Sequence, residues 1–334
     1  MNLTKIRVTY PAQDSKILLF TELDWNNGLE PISVSEDGVH FDFELQTEHA
    51  NGIAFKPVLL KDGELHWPKR ANNYRRRPGD HDIYPYFFDP KPGQIEASVP
   101  VTHNGKTRMV SIYRPPGYHE NLEKRYPVLY LQDGLNVFFP QMSKGPTEWN
   151  VDETVDNLAG WGLIRKLIVV AVHQEDSRMH DYTPAGWDDY GSFLMDGLKP
   201  QIDAQERTLK GRETTAILGS SLGGLVALHL GLKHAEVFGM AGCLSGSFVE
   251  IGTDLSERID AGEGRDVKIY LDSGMAGGDM DGFHGTRFIV ESLMRQGRTF
   301  GQDMLHFAFP EANHSETDWR ARCCIPLQYF FGKN

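Results

Sequence analysis

The sequence has little cysteine: Cys243, Cys323 and Cys324 are the only three among 334 residues, and two of them are adjacent. Three cysteines cannot build the disulfide framework of a secreted domain, so we expect a reducing, cytoplasmic setting. The sequence also contains neither a CxxC nor an HExxH motif, and these are patterns that commonly supply zinc ligands. We therefore predict that no metal takes part in its chemistry.

Long apolar stretches and an excess of positive charge are absent as well. The longest apolar runs, such as LIVVAV at 167–172, fall far short of the ~18 residues that a membrane-spanning helix needs. The first twenty residues lack the basic segment, apolar core and cleavage site of a signal peptide. The 34 basic and 46 acidic residues leave a net charge of −12, which disfavours nucleic acid as a partner. We expect no membrane and no nucleic-acid partner, and association into a homo-oligomer stays open.

Residues 1–93 have the pattern of a small β-sandwich followed by an irregular connector. Short apolar runs are separated by turn sequences such as WNNGLEP and SEDG, and GVHFDFEL at 38–45 alternates apolar with polar residues. That alternation is typical of a strand with one buried face. Trp25 and Trp67 could stack on sugar rings if they were exposed, but we expect them to be core aromatics of the sandwich.

Residues 94–334 change to the pattern of an α/β domain. Near-continuous apolar strands alternate with segments of helical pattern, as in a parallel sheet that helices cover on both faces. The predicted strands include RYPVLYLQDG, LIRKLIVVAVHQ, TTAILGSS, VKIYLDSG and MLHFAFP. A ligand site is expected beyond the carboxyl ends of such strands.

A G-x-S-x-G motif at 219–223 lies between the predicted strand TTAIL and the predicted helix LVALHLGL. In this context the central serine occupies a tight strand-to-helix turn, and glycines on both sides allow the close packing that the turn needs. The motif therefore predicts that Ser221 is a nucleophile. It also predicts that the backbone N–H of Leu222, at the start of the helix, stabilises a developing oxyanion.

A serine nucleophile needs a base, and His314 is the best candidate among thirteen histidines. It follows the last predicted strand by a short loop, which agrees with the chain order serine, acid, histidine of this architecture. His284 is its competitor. The acid is expected in the loop after VKIYLDSG, where Asp279 is the first choice and Asp281 is a close second, whereas Asp272 should be held within the strand.

The second oxyanion donor is expected from the loop that follows the strand PVLYL. That loop reads QDGLN at 132–136. The backbone N–H of Gly134 or of Leu135 could reach a substrate carbonyl, and the sequence does not decide between them. An Asp-Gly turn without a chemical role is an equally good interpretation.

Several motifs, in the same order, resemble the putative-esterase family, which includes enterochelin esterases, esterase D-type enzymes and feruloyl esterase domains. The motifs span residues 94–334 and include VSIYRPPGY, RYPVLYLQDGLNVF, EWNVDETVDNL, GSSLGG, IYLDSG and EANHSETDWRAR. The resemblance implies an α/β-hydrolase fold and a triad of Ser221, His314 and an aspartate within 279–281. It also implies that Arg178 and Tyr182 lie near the substrate pocket. The N-terminal part resembles, more weakly, the immunoglobulin-like or carbohydrate-binding sandwiches that precede such esterases.

Taken together, the sequence predicts a serine esterase that cleaves a small-molecule carboxylic ester through an acyl-enzyme, without metal or organic cofactor. The ester could be a siderophore lactone, a sugar or feruloyl ester, or a simple acyl ester. Two alternatives remain at this point. One is an acyltransferase on the same fold, in which an alcohol replaces water, and the other is a non-catalytic carbohydrate-binding protein.

Overall fold

The structure is a computed structural model that describes residues 2–48, 52–70, 74–143, 145, 147–248, 254–277 and 282–333. The chain forms two compact units. The first consists of Met1–Gln94, Pro115–Arg125 and Ala159–Leu163, and the second consists of Ile95–Arg114, Tyr126–Leu158 and Ile164–Asn334. Two short segments that the sequence assigned to the α/β domain thus belong to the first unit.

The first unit contains two β-sheets. Its strands are β1 (Asn2–Thr9), β2 (Lys16–Thr21), β3 (Asp24–Leu29), β4 (Ser33–Val34), β5 (His40–Thr47), β6 (Ile53–Lys61), β7 (Glu64–His66), β8 (Tyr74–Arg76) and β9 (Gly79–Ile83). One sheet has the order β4-β5-β1-β9, and the other has the order β3-β2-β6-β7 with β8 paired to β6. Strands β1 and β9 run parallel, whereas β1 and β5 are antiparallel.

Alternating apolar residues from both sheets form one shared core in this unit. Phe41, Phe43 and Leu45 on β5 are buried, and they belong to the same cluster as Leu19 on β2 and Phe55 on β6. Apolar residues at every second strand position lie on one face, so each sheet contributes one apolar face to the core. The predicted β-sandwich is therefore confirmed.

The expectation that Trp25 and Trp67 are core aromatics is wrong. Trp25 is 37% exposed and Trp67 is 40% exposed. Trp25 lies on β3, which is exposed along most of its length. Trp67 follows β7 and packs one side of its ring against Phe20, with ring centroids 5.0 Å apart. Neither side chain belongs to the cluster of buried side chains between the sheets, and β3, which carries Trp25, is an edge strand.

The second unit is built on an eight-stranded sheet of order β10-β11-β13-β12-β14-β15-β16-β17. The strands are β10 (Gln94–His103), β11 (Lys106–Arg114), β12 (Val128–Leu131), β13 (Ile168–Val172), β14 (Thr215–Ser220), β15 (Met240–Leu244), β16 (Lys268–Gly274) and β17 (Met304–Phe309). Strands β12 to β17 pair in parallel, whereas β11 is antiparallel to β13. This order is that of the predicted α/β-hydrolase fold.

Helices connect the parallel strands, as the apolar pattern on both strand faces predicted, and further helices follow the last strand. They are α1 (Val151–Gly160), α2 (Arg178–Asp181), α3 (Trp187–Ser192), α4 (Lys199–Gln205), α5 (Ser221–Lys233), α6 (Asp254–Asp260), α7 (Phe283–Arg295), α8 (Glu316–Arg322) and α9 (Cys324–Phe331). A π-helical segment, Phe193–Leu198, joins α3 to α4, and 3₁₀ turns cover Gly134–Asn136 and Arg212–Thr214. Within the part of the chain that the structure describes, no helix is long and apolar enough to cross a membrane.

Candidate active site

Ser221 occupies the turn between β14 and α5. Its φ of +54° lies in the left-handed region, which is unfavourable for any residue with a Cβ. The flanking glycines are required for packing: a Cβ at Gly219 would collide with the backbone of Gly223. A Cβ at Gly223 would lie 2.7 Å from Oδ2 of Asp133. The G-x-S-x-G spacing therefore forms the predicted tight turn, because the two glycines allow a serine with a strained backbone at the end of a central strand.

The strain at Ser221 leads to a testable stability effect. We expect the free energy of unfolding of Ser221→Gly to be about 0.5–1 kcal/mol higher than that of Ser221→Ala, because glycine adopts the left-handed conformation without steric cost. The greater freedom of glycine in the unfolded chain offsets part of this gain. Both variants lack the hydroxyl, so the comparison isolates the backbone. Denaturant unfolding of the two variants measures the difference. A less stable Ser221→Gly would contradict a strained turn.

His314 lies within hydrogen-bond distance of the candidate nucleophile. Its Nε2 is 2.9 Å from Oγ of Ser221, which suits a base that takes the hydroxyl proton. His314 follows β17 by a short loop, and the next residue, Ser315, caps α8 by accepting a hydrogen bond from the N–H of Asp318. The competing candidate, His284, is exposed near the start of α7. The structure thus brings Ser221 together with His314.

Both candidate acids, Asp279 and Asp281, lie outside the described residues. The loop that contains them leaves β16 at Gly274 and reaches α7 at Phe283. Asp272 is held within β16, as expected, and its side chain is fully buried. It accepts a hydrogen bond from the hydroxyl of Tyr270 at 2.8 Å and lies 3.2 Å from Nη2 of Arg322.

The loop after β12 contains the two candidate oxyanion donors. Asp133 adopts a left-handed conformation with φ of +56°, and Gly134 and Leu135 open the 3₁₀ turn that follows. A Cβ on Gly134 would lie 2.6 Å from the carbonyl carbon of Ala171 on β13, so only glycine fits there. The N–H of Leu135 donates to Oε1 of Gln174 at 3.1 Å. Use of this donor by a substrate therefore requires the Gln174 amide to turn away.

Arg178 and Tyr182 both contact Asp133 in this loop. The Arg178 guanidinium forms a bidentate pair with the Asp133 carboxylate, at 2.6 and 2.8 Å. Burial by itself lowers the pKa of Arg178, but the hydrogen bonds and charge of Asp133 raise it overall. The Tyr182 hydroxyl accepts the N–H of Asp133 at 3.2 Å, and burial raises the pKa of Tyr182 well above its usual value. Tyr182 is 2% exposed, so very little of its own surface is open to a ligand.

Sequence reasoning missed two further residues at this site. Ser247, in the loop after β15, places its Oγ 3.2 Å from Oγ of Ser221. Gln174, just beyond β13, is the partner of Leu135 described above. The only signal available was position, since both follow the carboxyl end of a parallel strand, where ligand sites of such sheets lie. Serine and glutamine are too common for position alone to have singled them out.

Comparison with known sequences identifies relatives. The family described as "Putative esterase" matches residues 102–324. An endo-1,4-beta-xylanase/feruloyl esterase of Xylanibacter ruminicola is 29% identical over 224 residues, covering 65% of this chain and 29% of that protein. The uncharacterized protein YbbA of Bacillus subtilis is 22% identical over 253 residues, covering 70% of this chain and 96% of that protein. The chain thus spans under a third of the length of the first relative and nearly all of the second.

Solved structures with the same fold include esterases. A ferulic acid esterase superposes with a TM-score of 0.60 at 17% identity, covering 72% of this chain and 97% of that one. The enterobactin esterase FES from Shigella flexneri superposes with a TM-score of 0.57 at 14% identity, covering 98% of this chain and 92% of that one. At such identities these likenesses concern the fold. The family match covers more than half of the sequence, and the chain belongs to the putative esterase family.

Proposed function

We propose that this protein hydrolyses small-molecule carboxylic esters through a covalent acyl-enzyme formed on Ser221. The observation that carries the proposal is the 2.9 Å approach of His314 Nε2 to Ser221 Oγ on a strained turn between a central strand and a helix. Nucleophile and base within hydrogen-bond reach are the signature of an activated hydroxyl. Membership in the putative esterase family and a feruloyl esterase relative support carboxylic-ester hydrolysis.

In the first half-reaction, Ser221 Oγ attacks the ester carbonyl while its proton passes to Nε2 of His314. The carbonyl oxygen becomes an oxyanion, which the N–H of Leu222 and a second N–H from Gly134 or Leu135 stabilise. The bond to the leaving alcohol then breaks, and His314 returns the proton to the alcohol oxygen. The fixed geometry of Asp133, held by Arg178 and Tyr182, orients the loop that supplies the second N–H.

In the second half-reaction, water takes the place of the alcohol. His314 accepts a proton from the water, the hydroxide attacks the acyl carbon, and the bond to Ser221 Oγ breaks. The proton returns to Ser221, and the carboxylic acid leaves. No metal or redox step is needed for this balance of bonds and protons.

The acid partner of His314 remains a choice between two aspartates, and a mutational pair tests it. We expect Asp279→Asn to lower kcat by roughly two to four orders of magnitude, because the acid holds the imidazole in the productive tautomer. Asp279 is five residues beyond the end of β16, whereas Asp281 immediately precedes Gly282, the N-cap of α7. We therefore expect Asp281→Asn to lower kcat by less than about tenfold. The reverse ranking would move the acid to Asp281.

For the substrate, we propose an ester of one of the two classes named in its relatives. One is a feruloyl ester, as the name of the Xylanibacter ruminicola protein indicates. The other is an enterobactin-type siderophore ester, as suggested by the solved enterobactin esterase, which covers nearly the whole chain. A sugar ester or a simple acyl ester is the remaining choice.

A panel of purified esters tests the activity and the substrate class together. It contains p-nitrophenyl acetate, methyl ferulate, a feruloylated sugar and a trilactone of dihydroxybenzoylserine, and product formation is followed for each. We expect turnover of the activated ester and a preference in kcat/KM for one natural class. A fluorophosphonate probe is expected to label the protein at Ser221. Absence of both turnover and labelling would contradict the proposal, and product ester formed with added alcohols in place of acid would favour the acyltransferase.

A further inference from the structure

Ser245 lies directly beyond β15, in the same loop as Ser247, and it is fully buried. Its φ of +48° places it in the left-handed region, so Ser245, like Ser221, has a strained backbone. The Ser245 hydroxyl oxygen accepts hydrogen bonds from Nε1 of Trp319 at 3.0 Å and from Nη2 of Arg322. Backbone strain of this kind persists only where the surrounding structure holds it in place.

The loop that contains Ser245 also contacts the nucleophile. Two residues further on, Ser247 Oγ is 3.2 Å from Ser221 Oγ, and the N–H of Ser247 points to the carbonyl oxygen of Ser221 at 3.4 Å. A shift of this loop would therefore change the environment of the reactive hydroxyl directly.

The two donors to Ser245 both belong to α8, the helix that begins immediately after His314 and Ser315. Trp319 and Arg322 are three positions apart, so they project from one face of this helix. The Trp319 ring packs against the His314 imidazole, with centroids 4.9 Å apart and an interplanar angle of 82°. Trp319 therefore contacts His314 with its ring while its N–H is fixed to Ser245.

A buried ion pair fixes the direction of Arg322. Its Nη2 lies 3.2 Å from Oδ1 of Asp272 on β16, and the side chains are 4% and 0% exposed. Asp272 is itself held by the Tyr270 hydroxyl at 2.8 Å. A buried ion pair is weak evidence for stability, because desolvation offsets much of its attraction, but its geometry is well defined. The pair thus acts as a rigid attachment between α8 and the central sheet.

We infer that Ser245, Trp319 and Arg322, anchored by Asp272, form a positioning unit that sets the distance between Ser221 and His314. The unit joins the loop that contacts the nucleophile to the helix that begins beside the base. This inference rests on the proposed esterase function. It predicts that the hydroxyl of Ser245 affects the rate of acyl transfer more than the binding of substrate, since a displacement of about 1 Å can cost on the order of 100-fold in rate.

The variant Ser245→Ala, with Ser256→Ala as a matched control, tests the inference. Ser256 is a buried serine of the second compact unit that lies outside the positioning unit, and its hydroxyl bonds that of Ser292 at 2.7 Å between α6 and α7. Its replacement therefore also removes a buried hydrogen-bonded hydroxyl. We expect Ser245→Ala to lower kcat for p-nitrophenyl acetate by about 10- to 100-fold with KM within about twofold. Ser256→Ala should keep the wild-type kcat while its Tm falls. Equal kcat values for wild type and Ser245→Ala would overturn the inference.

Trp319→Phe provides a second test if Ser245→Ala does not fold. Phenylalanine keeps an aromatic ring beside His314 but cannot donate to Ser245, so we expect a drop in kcat with little change in KM. Arg322→Lys retains the charge and should keep more activity than Arg322→Met. A wild-type kcat in Trp319→Phe, or no difference between the Arg322 variants, would contradict the positioning unit. Either of these contradicting results would leave the esterase proposal intact. The esterase proposal itself fails if the wild-type protein neither turns over an ester nor reacts with the fluorophosphonate.

Discussion

Replacing Ser221 by alanine is expected to lower kcat for ester hydrolysis by roughly four to six orders of magnitude while the protein stays folded. The variant removes the only atom that can form the acyl-enzyme, so the covalent route is lost. What remains is catalysis by the oxyanion donors and by substrate binding, which accelerates uncatalysed hydrolysis only modestly. The fold should survive, because alanine retains the Cβ that the turn already accommodates. Initial rates with p-nitrophenyl acetate, together with Tm, measure both effects.

Ser220→Ala is the matched control for that experiment. Ser220 directly precedes Ser221 at the end of β14 and is 2% exposed, so this variant removes a hydroxyl one position away from the proposed nucleophile. We expect kcat to change by less than about tenfold, since Ser220 adopts an extended conformation and only Ser221 stands in the left-handed turn. The fluorophosphonate should label Ser220→Ala and leave Ser221→Ala unlabelled. Labelling of Ser221→Ala at Ser220 would mean that Ser220, and not Ser221, is the nucleophile.

The features that the sequence predicted well are local or topological. The strained turn at Ser221 is readable because five consecutive residues, 219–223, encode the turn and both close approaches around it. The position of His314 beside Ser221 is readable because β14 and β17 run parallel in one sheet, so the loop after β17 leaves the same carboxyl edge as the turn after β14. The sandwich core is readable from strict alternation, as in β5. In each case the signal lies within one element or follows from the order of elements.

The features that the sequence did not predict depend on contacts between distant residues. The partnership of Arg178 with Asp133 joins positions 45 apart, and that of Trp319 with Ser245 joins positions 74 apart. Neither pair has a local pattern. Trp25 was misjudged for a related reason: a large aromatic residue in a strand is usually buried, and only the packing of the other side chains decides whether room remains for it.

Replacing His314 by alanine is expected to lower kcat by roughly three to five orders of magnitude, with a smaller change in KM. In the proposed mechanism His314, whose Nε2 lies 2.9 Å from Ser221 Oγ, is the base for the attack and the acid for alcohol departure, and alanine removes both functions. The loss also leaves room beside Trp319, so added imidazole should restore a measurable part of the rate. The control is His284→Ala, which removes an exposed imidazole near the start of α7 and should change kcat by less than about threefold. Rates at several imidazole concentrations, with Tm for both variants, give the comparison. An equal loss in His284→Ala, or undiminished turnover in His314→Ala, would reassign the base.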